Sequence, residues 1–139
     1  MSAELVYRLV DQVLNLGDLD DLDTLLSPDC RHHVSVVAGL SPGPAGLKPF
    51  VALLRDVFAE FYCTAELCCT LEEGLEVFPW TLRGIHRSEF LGLPATFKPV
   101  SVRGELRLRV REGKIAELWL ELSLAALLRQ LGAPIQDGL

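Results

Sequence analysis

The chain carries three histidines, the side chains that change charge nearest to neutral pH, at positions 32, 33 and 86. If the residues around His32 and His33 form a strand, alternation turns only one of the adjacent pair inward. A histidine entering an apolar cavity stays neutral near pH 7, because desolvation lowers its pKa, and can then act as a weak base or a hydrogen-bond donor. The same ring could instead be satisfied by backbone at the cavity mouth and do no chemistry. His86 closes a predicted strand and is expected at a rim in a structural role. Ser41, Ser88 and Ser101 have no histidine–acid partner at a recognisable spacing, so a nucleophilic triad has no support. Tyr62 and Trp80 each offer a polar handle to a ligand, but read better as core or interface aromatics. Of the four cysteines, Cys63, Cys68 and Cys69 fall on a predicted strand and Cys30 is isolated. With no C-x-x-C spacing they read as buried thiols acting as small hydrophobes, and neither a metal nor a redox site is expected.

These side chains depend on elements whose pattern is legible. Val6, Leu9, Val10, Val13 and Leu16 recur at helical spacing, with Gly17 placed as a C-terminal cap. The acid-rich stretch from Asp18 to Leu26 reads as a short helix whose acids suit the positive end of its dipole, stopped by Ser27-Pro28. A brief strand is expected from Arg31 to Val37, then a loop through Gly39-Leu40-Ser41-Pro42-Gly43-Pro44. Leu47, Phe50, Val51, Leu54, Phe58 and Phe61 form one stripe of a third helix, with Pro49 in its first turn. Strands are predicted from Tyr62 to Leu71 and from Leu75 to His86, joined at Glu72-Glu73-Gly74. Arg87–Pro99 is a long connection of the kind that often carries function.

The C-terminal hairpin has the clearest pattern. Val100, Val102, Gly104, Leu106, Leu108 and Val110 alternate with Ser101, Arg103, Glu105, Arg107 and Arg109, and Gly113 supplies the turn into Ile115–Ser123. There Leu118, Leu120 and Leu122 share one face and Glu117, Trp119 and Glu121 the other, so a charged ladder against the arginine face is expected. A last helix is predicted over Leu124–Leu131.

Helices followed by a meander of long strands indicate an α+β fold. The expected form is a cone-shaped curved antiparallel sheet wrapped around the N-terminal helices, open at one end to a small molecule. At 139 residues the sequence reads as one domain over residues 1–139. A net charge of −6 argues against a nucleic-acid partner. Neither a signal peptide nor a membrane-length apolar run is present, so a cytoplasmic protein with no membrane association is expected.

Specific strings, in this order, resemble the SnoaL-like polyketide cyclase family of the nuclear-transport-factor-2-like superfamily. They are Gly43-Pro44-Ala45-Gly46, Pro79-Trp80-Thr81-Leu82-Arg83-Gly84-Ile85-His86, Phe90-Leu91-Gly92-Leu93-Pro94-Ala95-Thr96, Arg109–Ile115 and Leu127–Gly132. The resemblance implies a cofactor-free intramolecular aldol ring closure, with a carboxylate as general acid/base assisted by a histidine. Aligned on Gly113-Lys114-Ile115, the family's aspartate falls on Leu120, its histidine on Leu106, and the histidine of its Glu-His-Trp string on Leu118. Leucine neither takes a proton nor donates a hydrogen bond. The family's pocket-facing polar residue on the short first strand aligns with His32, the remaining candidate for catalysis.

The reading that follows is an apolar pocket for a small polyketide- or isoprenoid-like molecule, lined by Phe50, Leu54, Phe58, Trp80, Leu106, Leu118 and Leu120. Two alternatives stand beside it: a cyclase or isomerase using His32, and a non-catalytic assembly module. The resemblance also implies a homodimer through the outer sheet face, here bearing Arg107, Arg109, Trp119 and Glu121.

Overall fold

The computed structural model describes residues 2–66 and 70–132; Cys68 and Cys69 lie outside them. The first helix, α1 (Ser2–Tyr7), runs without a break into a π-helical stretch (Arg8–Asn15). Its wider turns, closed by bonds such as Leu16 N–H to Asp11 O at 3.2 Å, rotate Leu14 inward and leave Leu16 exposed, against the expected stripe. Gly17, at φ +77°, ends the stretch as predicted. Arg55 then covers the freed carbonyls of Leu14 and Asn15 at 2.7 Å each, a cation at the negative end of the helix.

The acid run forms a 3₁₀ turn (Leu19–Asp21) and α2 (Leu22–Leu25). Asp21 accepts from Arg8, and Asp23 from Lys48 at 3.0 Å, so these acids pair with neighbouring cations while Leu22 and Leu25 enter the core. Strand β1 (Leu26–Val34) begins five residues earlier than expected. Its pairing shifts register between Leu26 and Arg31, the segment that contains Pro28, which cannot donate to a ladder.

Helix α3 (Pro44–Val57) is shorter at its C-terminus and longer at its N-terminus than its apolar stripe suggests. Pro44 takes the first position and Pro49 sits a turn deeper than predicted. The helix stops because Phe58 pairs with His86, which recruits Phe58–Ala65 as strand β2. Aromatic residues suit a strand, and sheet pairing overrides the helical spacing of Phe58 and Phe61. A bulge with Glu60 at φ +53° resets the alternation between Ala59 and Tyr62.

Strands β3 (Thr70–Glu72), β4 (Leu75–His86), β5 (Pro99–Arg111) and β6 (Lys114–Leu122) complete the sheet, and α4 (Leu124–Gln130) follows. The strand order is β1-β6-β5-β4-β2, with β3 paired to β4. One pair departs from the expected antiparallel sheet: β1 runs parallel to β6, so the sheet is mixed. Short-range alternation carries no information about this edge, because β1 and β6 are joined through most of the chain. The β5–β6 turn places Glu112 at φ +52° and Gly113 at φ +77°, the geometry that matches strand twist in a two-residue hairpin.

On the concave face the cross-strand pairs form apolar rows. Val34 pairs with Leu120, Leu120 with Leu106, and Leu106 with Phe78, four side chains from four strands. In the row above, Trp80 lies opposite Gly104 and donates its indole N–H to Glu121 O at 3.0 Å. Gly104 is required there: a Cβ would stand 1.7 Å from that same carbonyl oxygen. Beyond the other edge, the Asn15 amide grips β2, donating to Cys63 O at 2.8 Å and accepting from Cys63 N–H at 2.7 Å.

Candidate functional site

The interior expected to be open is filled. Trp80, Leu106 and Leu118 are at most 1% exposed, Leu120 is 3% and Phe50 4%, and these five pack as core without lining a cavity. Alternation identified which side chains face inward, and they belong to one close-packed core. A small apolar cavity of about 10 Å³ lies at one end, lined by Val36, Leu54, Phe58, Leu82, Phe90, Val102, Leu122 and Leu127, and a half-open pocket of about 160 Å³ between the first helix and the sheet reaches Phe78. The small cavity has room for about one water molecule. Of the seven predicted pocket residues, Leu54 and Phe58 line it.

Two segments close this cavity. Helix α4 is capped by Ser123, whose Oγ accepts from Ala126 N–H, and it buries Leu127 and Leu131. Gln130 fixes it to β5 by exchanging two hydrogen bonds with the Ser101 backbone, at 2.7 and 2.8 Å. The second segment is the β4–β5 connection. A tight turn at Phe90-Leu91-Gly92-Leu93, with Leu91 at φ +54° and Gly92 at φ +83°, sends Phe90 inward against Phe58, ring centroids 6.0 Å apart.

His86 is fully buried, not at a rim. It continues the inward alternation Leu82, Gly84, His86 along β4, which is the signal sequence reading passed over in favour of its place at a strand end. Its Nδ1 lies 2.9 Å from Thr96 Oγ1 and accepts from Thr96 N–H at 3.3 Å, while its Nε2 has no hydrogen-bond partner among the described residues. His32, half-buried, faces inward on β1 and His33 outward, as alternation requires. His32 Nε2 donates to Gly43 O at 2.8 Å, which pins the loop before α3 and leaves Nδ1 as an acceptor without a partner among the described residues. Burial pushes the His32 pKa down. His32 borders an open groove of about 340 Å³ at the β1 edge and does not touch the apolar cavity.

The outer face carries the expected ladder, with one surprise. Glu117 is buried, held by Arg31 at 3.0 Å, His33 at 2.6 Å and Arg109 at 3.5 Å. Burial alone would raise the Glu117 pKa, but the His33 hydrogen bond and the surrounding cations outweigh it and hold the carboxyl below its ordinary value. Trp119 stacks on His33 at 5.1 Å and lies 6.0 Å beneath the Arg109 guanidinium. Arg107, 3.9 Å from Glu121, extends the patch. Cys30 and Cys63 are free and buried, their thiols pushed up to about 12 by desolvation. Among the described residues, no group of three or more His, Cys, Asp or Glu could hold a metal ion, and no helix is long and apolar enough to cross a membrane.

A mixed, curved sheet that closes over an N-terminal helical layer, with its mouth capped by a C-terminal helix, defines a nuclear-transport-factor-2-like α+β protein. Solved structures agree: TsrD from Streptomyces laurentii superposes with a TM-score of 0.84 at 26% identity, covering 96% of each chain. Wild-type IdmH from Streptomyces antibioticus gives 0.78 at 28% identity, covering 94% of this chain and 98% of that one. The family model for SnoaL-like polyketide cyclases matches residues 4–131, and the chain belongs to that family. It is also 29% identical over 128 residues to the nogalonic acid methyl ester cyclase of Streptomyces nogalater, spanning 88% of this chain and 92% of that protein.

Proposed function

We propose that this protein binds a small apolar molecule at the mouth of its cone and does not perform acid–base ring closure by the family's route. The observation that carries this reading is the chemistry of the inner wall. The row Val34–Leu120–Leu106–Phe78 runs across four strands, and all eight residues around the mouth cavity are apolar. A proton-transfer step needs a titratable group within hydrogen-bond reach of the reacting carbon. Leu106, Leu118 and Leu120, at the positions where the family resemblance puts its acid–base groups, provide none. Apolar walls favour an apolar guest, each buried methylene adding about 0.8 kcal/mol, or roughly fourfold in affinity.

A cavity of about 10 Å³ admits a guest only if a wall gives way. Helix α4 is the wall suited to this: seven residues long, it presents Leu127 to the cavity. Native mass spectrometry with a series of aromatic hydrocarbons tests the proposal. One equivalent should bind, more tightly with each added methylene, and Leu127→Ala should strengthen uptake. No uptake by either protein would refute it.

The outer face supports a homodimer as a second proposal. Trp119, half-buried between His33 and Arg109, gives an aromatic platform ringed by charge, the composition favoured at protein interfaces.

A further inference from the structure

The half-open pocket of about 160 Å³ between the first helix and the sheet shares no lining residue with the mouth cavity. Its floor is apolar and closed, with Val6, Val10 and Phe78 each at most 6% exposed. Tyr7 and Glu66 are exposed and Asp11 is half-buried, which puts one aromatic ring and two carboxylates at the opening. Helical spacing produces this arrangement: Val6 and Val10, like Tyr7 and Asp11, are four residues apart and stack along one flank of the helix. Phe78 arrives from β4 by the inward alternation that also buries Trp80 and Leu82.

The pocket is one-sided in charge. Two acids and no base line it among the described residues. Although half-buried, the Asp11 carboxylate has no salt bridge or hydrogen bond among the described residues. Glu66 reaches Arg103 at 3.3 Å, but both side chains are more than half exposed, and such a pair contributes little and yields to a competing cation. A cleft with low-dielectric walls and charge of one sign focuses its field and concentrates ions of the other sign. Size narrows the choice of guest, since an apolar space of about 150 Å³ holds one benzene ring. Val10 and Asp11 also belong to the π-helical stretch, a geometry frequent at functional sites, and Asp11 O closes one of its wide turns.

We propose that this pocket binds a small organic cation of the arylalkylammonium class, with its ring against Val6, Val10 and Phe78 and its ammonium held by Asp11 and Glu66. An ammonium has three donors and no acceptor, which suits two carboxylates at one opening, and the Tyr7 ring also favours a cation there. A neutral analogue forgoes the charge-assisted bonds, and an anion is repelled by both acids. A bare ammonium gains nothing from the apolar floor.

Benzylammonium, benzyl alcohol and methylammonium separate these contributions. Each is titrated at pH 7 into the wild-type protein, Asp11→Asn and Ala3→Phe, and backbone ¹H–¹⁵N spectra report affinity and location. Benzylammonium should bind about tenfold more tightly than benzyl alcohol, the gain of one charge-assisted hydrogen bond, and at least about tenfold more tightly than methylammonium. Asp11→Asn should remove most of the preference for the cation while benzyl alcohol binds as before, and added salt should narrow the preference in the wild type. Ala3 is an exposed residue of the pocket wall, so Ala3→Phe should fill the opening and exclude both aromatic compounds without unfolding the chain. Resonances of Val6, Val10 and Phe78 should move, and those of Val102 and Leu127 at the mouth cavity should not. Equal affinity for benzylammonium and benzyl alcohol, an unaltered preference in Asp11→Asn, or undiminished binding by Ala3→Phe would overturn the proposal. So would shifts centred on the mouth cavity, or no binding of benzylammonium by the wild type.

Discussion

Placing a carboxylate back where the family resemblance locates it tests the packed interior most directly. Leu120 is 3% exposed and sits between Val34 and Leu106 in the inner row. Leu120→Asn removes the leucine contacts and buries an amide without partners, which should cost about 3–5 kcal/mol. Leu120→Asp carries a similar cost when neutral, and a further one that depends on pH. Burial raises the folded pKa of the new carboxyl well above its unfolded value of about 3.9. The extra destabilisation is therefore fully present above the folded pKa, shrinks as pH falls through it, and vanishes near pH 4. If that pKa reaches about 7, each of the roughly 3 units between the two values contributes about 1.36 kcal/mol, so the aspartate should be about 4 kcal/mol less stable than the asparagine at pH 7. Urea unfolding of both variants from pH 4 to 7 measures this difference, with thermal melts as a second reading if Leu120→Asp is largely unfolded at pH 7. Two curves that stay within about 1 kcal/mol across the range would show a hydrated or polar environment at position 120, and the reasoning from a filled cone would be wrong.

Three other outcomes are expected. The His32 pKa is depressed by burial, so the folded state resists protonation and stability should fall as pH drops below about 6.5; His32→Gln, which keeps a donor for Gly43 O, should flatten urea-derived stability between pH 7 and 5. Leu91 and Gly92 both hold positive φ in a two-residue turn, so Leu91→Asn should raise the melting temperature through a gain of about 0.5–1 kcal/mol, and a lowered one would refute the turn assignment. Trp119→Asp should convert a dimer to a monomer in sedimentation, and an unchanged mass would remove the outer face from consideration.

The hairpin of β5 and β6 was legible because its alternation is unbroken from Val100 to Val110, and with it the inward leucines and the outward ladder. Helix α3 was legible as an amphipathic stripe but not in its end, since Phe58 and Phe61 continue helical spacing while their pairing with β4 makes them strand. The parallel β1–β6 edge joins residues far apart in sequence and left no local trace. Inner-wall identity could be read from period two, but cavity volume could not, because it depends on how side chains from four strands interlock. The burial of Glu117 followed the same limit: its partners Arg31, His33 and Arg109 come from β1 and β5, and no spacing within β6 announces them.

The Asn15 amide has a consequence beyond the residues it joins. Strand β2 borders the sheet, and an unpaired border strand exposes backbone groups that can template pairing with another molecule. By taking both the N–H and the C=O of Cys63, the carboxamide imitates the backbone of one residue of a neighbouring strand, and ends the ladder there. A side chain borrowed from the helical layer thus serves as a chain terminator for sheet growth. Replacing it with leucine would reopen that rung to pairing between molecules.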